Sequence, residues 1–137
     1  MSETSFESIA VGDQIPVLSK PAVDRVQLAL FAGASADHNP IHIDDEAARA
    51  GGLPGVIVHG MLNMAFLGQV LTNWVPQSQL REFGTRFAAM AFPGDVITCR
   101  GTVAEKDEAA RTARLDITAE NQNGDILLSG SATVAFP

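Results

Sequence analysis

From Ala50 to Leu80 the chain carries no Asp, Glu, Lys or Arg, and beyond that stretch its apolar pattern changes period. A charge-free run of this length raises the question of a membrane span. It is interrupted by Pro54, His59, Asn63, Gln69, Asn73, Pro76, Gln77 and Gln79. Its helical part, about Met61 to Trp74, extends only roughly 21 Å at the standard rise, short of a bilayer core. A helix buried inside a folded domain is the expectation, with no membrane partner. After Trp74 the side chains alternate instead. Phe83, Thr85, Phe87, Ala89 and Ala91 form one alternating run, and Val96 to Val103 a looser one. Ala113, Leu115, Ile117 and Ala119 form a third, and Ile126, Leu128, Gly130, Ala132, Val134 and Phe136 the cleanest. Pro93-Gly94-Asp95, Lys106-Asp107-Glu108 and Asn123-Gly124 supply turns between them. The pattern predicts four strands in an antiparallel meander, a curved sheet wrapped around one long apolar helix, in the α+β class. Residues 1–137 read as a single domain, with no repeat or linker.

The N-terminal half holds shorter elements. Residues 11–18 predict a turn and a short edge strand, because Pro16 is excluded from a sheet centre. Asp24 is placed to cap a helix carrying Leu28, Phe31 and Ala32 on one face. Asp44 is placed to cap a second, short helix that Gly51-Gly52 ends. Val56-Ile57-Val58 reads as extended, and Gly60 opens the apolar helix.

Between the two short helices lies Asp37-His38-Asn39-Pro40-Ile41-His42. On a regular helix, residues five apart point away from each other. Pro40 prevents helix here and pushes Asn39 toward extended geometry. The resulting turn allows the Asp37 carboxylate and the His42 imidazole to converge on one point. Such a pair can hold a water and move its protons. Residue types alone favour a turn cap at Asp37 and a packed or surface histidine at His42, since Asp-x-Asn-Pro is good turn chemistry by itself.

Charge narrows the partners. The net charge of −7 argues against nucleic acid as a partner, since phosphate binding needs a basic face. The single cysteine, Cys99, excludes an internal disulfide and a cysteine metal cluster, and it fits a reducing cytoplasm. The first eight residues have neither a basic region nor an apolar core, so they do not read as a signal peptide. The expected location is cytoplasmic. Three histidines without a dense carboxylate or cysteine set predict no metal site. No glycine-rich phosphate loop and no Gly-x-Ser-x-Gly elbow occurs.

The run from Phe31 through Ser35-Ala36 and Asp37-His38-Asn39-Pro40-Ile41-His42 to Ala48 resembles the signature of the MaoC-like dehydratases, also called (R)-specific enoyl-CoA hydratases or hydratase 2. Val58-His59-Gly60-Met61-Leu62 is similar to the family's second signature. One position departs: Ala36 stands where the family usually has Gly, which adopts positive φ without penalty. The resemblance implies the hot-dog fold and makes Asp37 and His42 the catalytic pair. In that reading Asp37 takes a proton from a water as its oxygen attacks C3 of a 2-enoyl thioester. His42 positions the water and supplies a proton to C2. The two titrate as one coupled unit. Asn39 either fixes the turn or orients His42 or the water. The Gly60 N–H, at a helix start, is the implied oxyanion donor. His59 either orients that turn or serves as a structural histidine. His38 reads as a solvent-facing turn residue.

The implied activity is reversible hydration of trans-2-enoyl-CoA to (R)-3-hydroxyacyl-CoA, without a cofactor. Alternatives are a 3-hydroxyacyl-thioester dehydratase subunit acting on acyl-carrier protein, a thioester hydrolase, or a non-catalytic hot-dog partner. The Asp-x-Asn-Pro-x-His run argues against hydrolysis, and the intact pair against a silent subunit. An acidic carrier protein would be repelled by a chain of charge −7, so an acyl-CoA thioester is the expected substrate. Arg81, Arg86, Arg100 and Lys106 are candidates to meet its phosphates. Met61, Leu62, Met64, Phe66, Leu67 and Leu71 read mostly as core, and Asn63 among them needs a polar partner. A homodimer joined through sheet edges is expected, with a heterodimer of two hot-dog subunits as the variant.

Overall fold

The computed structural model describes residues 3–137. The Asp24 carboxylate accepts from the Gln27 N–H at 2.8 Å and starts helix α1, Arg25–Ser35, which buries Leu28 and Ala32. The helix stops at Ala36, whose φ of 58° is left-handed. The chain thus leaves the helix four residues before Pro40, through the residue where a glycine would be unstrained. The Asn39 side chain then accepts from the Ile41 N–H at 3.2 Å, and Pro40–His42 makes one 3-10 turn. The Asp44 carboxylate accepts from Glu46 N–H at 2.9 Å and caps α2, Asp45–Ala50, which ends at Gly51. Both caps satisfy amides that a helix start leaves without an intrahelical acceptor.

Helix α3, Gly60–Thr72, buries Leu62, Asn63, Phe66, Leu67, Val70 and Leu71. It begins at the glycine and ends two residues before Trp74. An antiparallel sheet wraps around it: β1 Leu18–Ser19, β2 Leu80–Phe87, β3 Thr98–Asp107, β4 Thr112–Glu120 and β5 Ile126–Ala135. Helix α3 packs against all four long strands. Buried Cys99, Val103, Leu115, Ile117, Leu128, Ala132 and Val134 join its apolar side chains in one core. This is the curved-sheet α+β arrangement that the change of period predicts.

The strand order corrects the simple meander. The order is β1-β3-β4-β5-β2, so only β3, β4 and β5 follow one another. Strand β2 pairs with β5 at the far side of the sheet, and β1 takes the place beside β3. The alternation after Phe87 does not continue as strand, so Ala89 and Ala91 belong to the crossing connection. That segment is tied elsewhere: Ala91 O accepts from Val58 N–H at 2.9 Å, and Asp95 O from Val23 N–H at 3.0 Å. Alternation reports burial on one face and carries no information about which neighbour a strand finds. One glycine makes the β2–β5 pairing possible. A Cβ on Gly130 would fall 2.6 Å from the Thr85 Cα and also clash with the Gly84 backbone. Among the described residues, strand β2 has a neighbour on one side only and forms a bare edge eight residues long.

Candidate active site

Asp37 and His42 meet as the turn predicts. Asp37 Oδ2 lies 3.8 Å from His42 Nε2. The Asp37 side chain is 45% exposed and that of His42 only 9%, so the carboxylate stands at the mouth and the ring lies deeper. The other carboxylate oxygen, Oδ1, accepts from the Asn39 N–H at 3.3 Å. Asn39 itself is exposed, and its Oδ1 is committed to the Ile41 amide. Its observed contacts are those of the turn. His38 is exposed.

The His42 tautomer follows from its other nitrogen. Nδ1 is 2.8 Å from the carbonyl oxygen of Ile57. A carbonyl only accepts, so Nδ1 carries the hydrogen. The neutral ring therefore presents its lone pair at Nε2, on the side of Asp37. Two acceptors at 3.8 Å do not bond to each other, but one water can donate to both. Ile57 is held for this purpose from several sides. Its own N–H donates to Ile41 O at 3.1 Å, and the flanking Val56 N–H donates to Asp45 Oδ1 at 2.9 Å. Asp45 in turn pairs with Arg25 at 2.7 Å. The Val56 hydrogen bond first, then the Arg25 charge, hold the Asp45 carboxyl below the usual carboxylate range.

His59 is 1% exposed and stacks on His42, ring centroids 3.9 Å apart and planes 23° off parallel. Its Nε2 lies 3.3 Å from the backbone oxygen of Asp37 and donates to it. The Phe31 ring lies against it at 64°, ring centroids 4.9 Å apart. Burial first, then the neighbouring His42, push the His59 imidazole down from the ordinary histidine range. It is neutral at pH 7. Gly60 follows as the first residue of α3, where a backbone N–H has no intrahelical acceptor. A Cβ on Gly60 would lie 3.0 Å from the Phe87 ring, so the glycine lets β2 close against this end of the helix.

Asp37, His42 and His59 each offer a ligand atom, and these atoms lie within 4.8 Å of one another. The arrangement suits a metal poorly. His42 Nδ1 and His59 Nε2 both donate to carbonyl oxygens, and in-plane lone pairs of two stacked rings run side by side. Zinc needs donors converging at about 2.0–2.2 Å. Cys99 is equally unsuited to nucleophilic work, since burial pushes its thiol up to about 12.

Two of the candidate phosphate-binding cations are engaged in the fold. Arg100 pairs with Glu120 at 2.9 Å. Lys106 donates to the carbonyl oxygens of Phe6 and Ile9 at 2.9 and 2.8 Å. Arg81 donates to the Ser78 carbonyl, and Arg86 has no ion pair among the described residues. The Asn63 Oδ1 and the His59 Nδ1 are buried without a hydrogen-bond partner among the described residues. Ile57 and Phe87 were not legible as site residues, because a backbone carbonyl and a strand-end aromatic carry no signature of their own.

A family model described as the MaoC like domain matches residues 9–123. The chain belongs to the MaoC-like domain family. Curated relatives agree with this MaoC-like membership. The (R)-specific enoyl-CoA hydratase of Aeromonas caviae is 28% identical over 135 residues, covering 97% of this chain and 99% of that protein. Its counterpart from Rhodospirillum rubrum is 31% identical over 136 residues, covering 96% and 91%. The chain is also 38% identical over 76 residues to fatty acid synthase subunit beta of Aspergillus oryzae, spanning 53% of itself but only 4% of that much longer protein. Among solved structures, the (R)-hydratase from A. caviae involved in PHA biosynthesis superposes with a TM-score of 0.86 at 29% identity, covering 96% of this chain and 99% of that one. A structure described as a MaoC-like dehydratase reaches 0.91 at 31% identity, covering 98% of this chain and 43% of the other. These neighbours make the MaoC-like fold a hot-dog fold.

Proposed function

We propose that the chain, as one MaoC-like domain over residues 1–137, catalyses reversible hydration of a trans-2-enoyl-CoA to the (R)-3-hydroxyacyl-CoA, with Asp37 and His42 as catalytic residues. The observation that carries this reading is the paired acceptor geometry: a carboxylate oxygen and an imidazole lone pair 3.8 Å apart, with the ring locked from behind by the Ile57 carbonyl. Full-length similarity to two named (R)-specific hydratases supports the substrate class and the stereochemistry.

The chemistry then runs as one proton taken and returned. Neutral His42 has no proton at Nε2 to give, so it gains one only from the water. As the water oxygen bonds to C3, its proton passes to the Asp37–His42 pair. The C2=C3 electrons shift toward C2 and the thioester oxygen. C2 then takes the proton back from the pair. The Gly60 N–H, with the start of α3 behind it, is the proposed donor to the thioester oxygen as negative charge develops there. Asn39 and His59 support this site through the turn rather than through the reacting atoms.

The chain works in the cytoplasm on this reading, and as a homodimer through the bare β2 edge. The likeness to fatty acid synthase subunit beta favours a second reading, dehydration of 3-hydroxyacyl groups on a carrier protein. One assay separates them. The purified chain is given crotonyl-CoA, longer enoyl-CoAs and the same acyl groups on acyl-carrier protein, with chiral analysis of the product. Turnover of the CoA esters to (R)-3-hydroxy products is expected. No turnover of any enoyl thioester defeats the hydratase reading, and a large kcat/KM preference for carrier protein replaces CoA as donor.

A further inference from the structure

Both catalytic candidates touch one side chain that performs no proton chemistry in the proposed reaction. We propose that His59 is a positioning residue: its ring face holds His42 and its N–H holds Asp37, so a single side chain sets the distance between the two. This rests on the hydratase reading of Asp37 and His42.

Each contact adds a restraint to one member of the pair. The Ile57 carbonyl holds the Nδ1 corner of His42 but leaves the ring able to tilt about that bond. The His59 ring, 3.9 Å away and nearly parallel, removes the tilt. Asp37 follows the left-handed Ala36, at the start of an exposed turn. Its backbone carbonyl accepts from the His59 Nε2–H at 3.3 Å, which ties it to the start of α3. His59 is itself held as the residue before Gly60, at the start of a helix packed by the four long strands, and by the inclined Phe31 ring 4.9 Å away. The carboxylate and the imidazole come from one loop, but their spacing is referred to α3. Burial keeps His59 neutral, so its tautomer and its donor role do not change when His42 takes up a proton.

The two contacts can be removed separately. His59→Phe keeps a flat ring for His42 but has no N–H for Asp37. His59→Gln keeps a donor and has no ring. In each, kcat on crotonyl-CoA should fall roughly 10–10²-fold, the scale of a small misplacement of reacting groups, with KM within about twofold. His59→Leu, lacking both, should fall further. Ile117→Val, a core change away from the site, should lower Tm and leave kcat unchanged. Imidazole nitrogen NMR supplies a readout independent of turnover: the His42 ring signals should be sharp in the wild type and broadened by ring motion in His59→Gln, with the Nδ1–H tautomer kept in both. An inactive wild type that shows this difference in broadening removes the hydratase reading and leaves the positioning contact standing. Folded His59→Phe and His59→Gln proteins with wild-type kcat, or with the loss confined to KM, overturn the positioning role while the hydratase reading stands.

Discussion

Asp37 Oδ2 and His42 Nε2 lie 3.8 Å apart, and the opposite ring nitrogen of His42 is turned toward the Ile57 carbonyl. When the imidazole is neutral, neither group can satisfy the other, and both are free to receive a donor from outside.

Asp37→Asn and His42→Ala should each lower kcat on crotonyl-CoA by roughly 10²–10⁴-fold while circular dichroism and thermal melts stay close to the wild type. The double variant should be little worse than the worse single one, because groups acting on one water in one transition state are not additive. Near-normal turnover by a well-folded Asp37→Asn protein would reduce Asp37 to a turn former.

Ala36 sits at φ 58°, where an L side chain is strained by about 1–2 kcal/mol. Ala36→Gly relieves that strain but adds freedom to the unfolded chain, an offset of about 0.4–1 kcal/mol. A net gain of roughly 0.5–1 kcal/mol is expected, or a Tm higher by roughly 1–4 °C for a chain of this size. Urea titration at neutral pH measures it, and a loss of stability would show that the cap is not strained.

Asp45 ties the segment behind His42 to the start of α1. Its carboxyl is held low by the Val56 N–H and then by Arg25. A folded value below the unfolded value of about 3.9 gives stability that is fully present above that pH and is lost as pH falls through the folded value. Asp45→Asn should therefore be less stable than the wild type at pH 7, and the two should converge in acid. Parallel melts from pH 7 to pH 3 test the sign, and a difference that grows toward acid contradicts it.

The bare β2 edge predicts self-association. Sedimentation at micromolar concentration should give a two-fold dimer. Monomer alone at that concentration excludes the edge-paired homodimer.

Much of this was legible locally. Asp24, Asn39 and Asp44 cap or turn the backbone where their side chains reach amides two or three residues on, an interaction the chain makes with itself. The apolar helix and the alternating strands are legible because burial on one face leaves a periodic trace. Ala36 stood out through the family resemblance, which usually has Gly at that place, and the structure gives it the positive φ that a glycine takes without strain.

Other features have no local trace. Strand β2 reads like its neighbours, yet it crosses to β5, and only Gly130 opposite Thr85 allows the approach. The His42 tautomer depends on a carbonyl fifteen residues away, and the His42–His59 stack depends on how α3 sits against the turn. The sequence by itself determined the turn that carries Asp37 and His42, the three caps and the periodicities, because those arise between near neighbours. Tertiary structure decided strand order, ring orientation and which nitrogen faces the carboxylate, because packing among distant segments selects one arrangement from several that the local pattern permits equally.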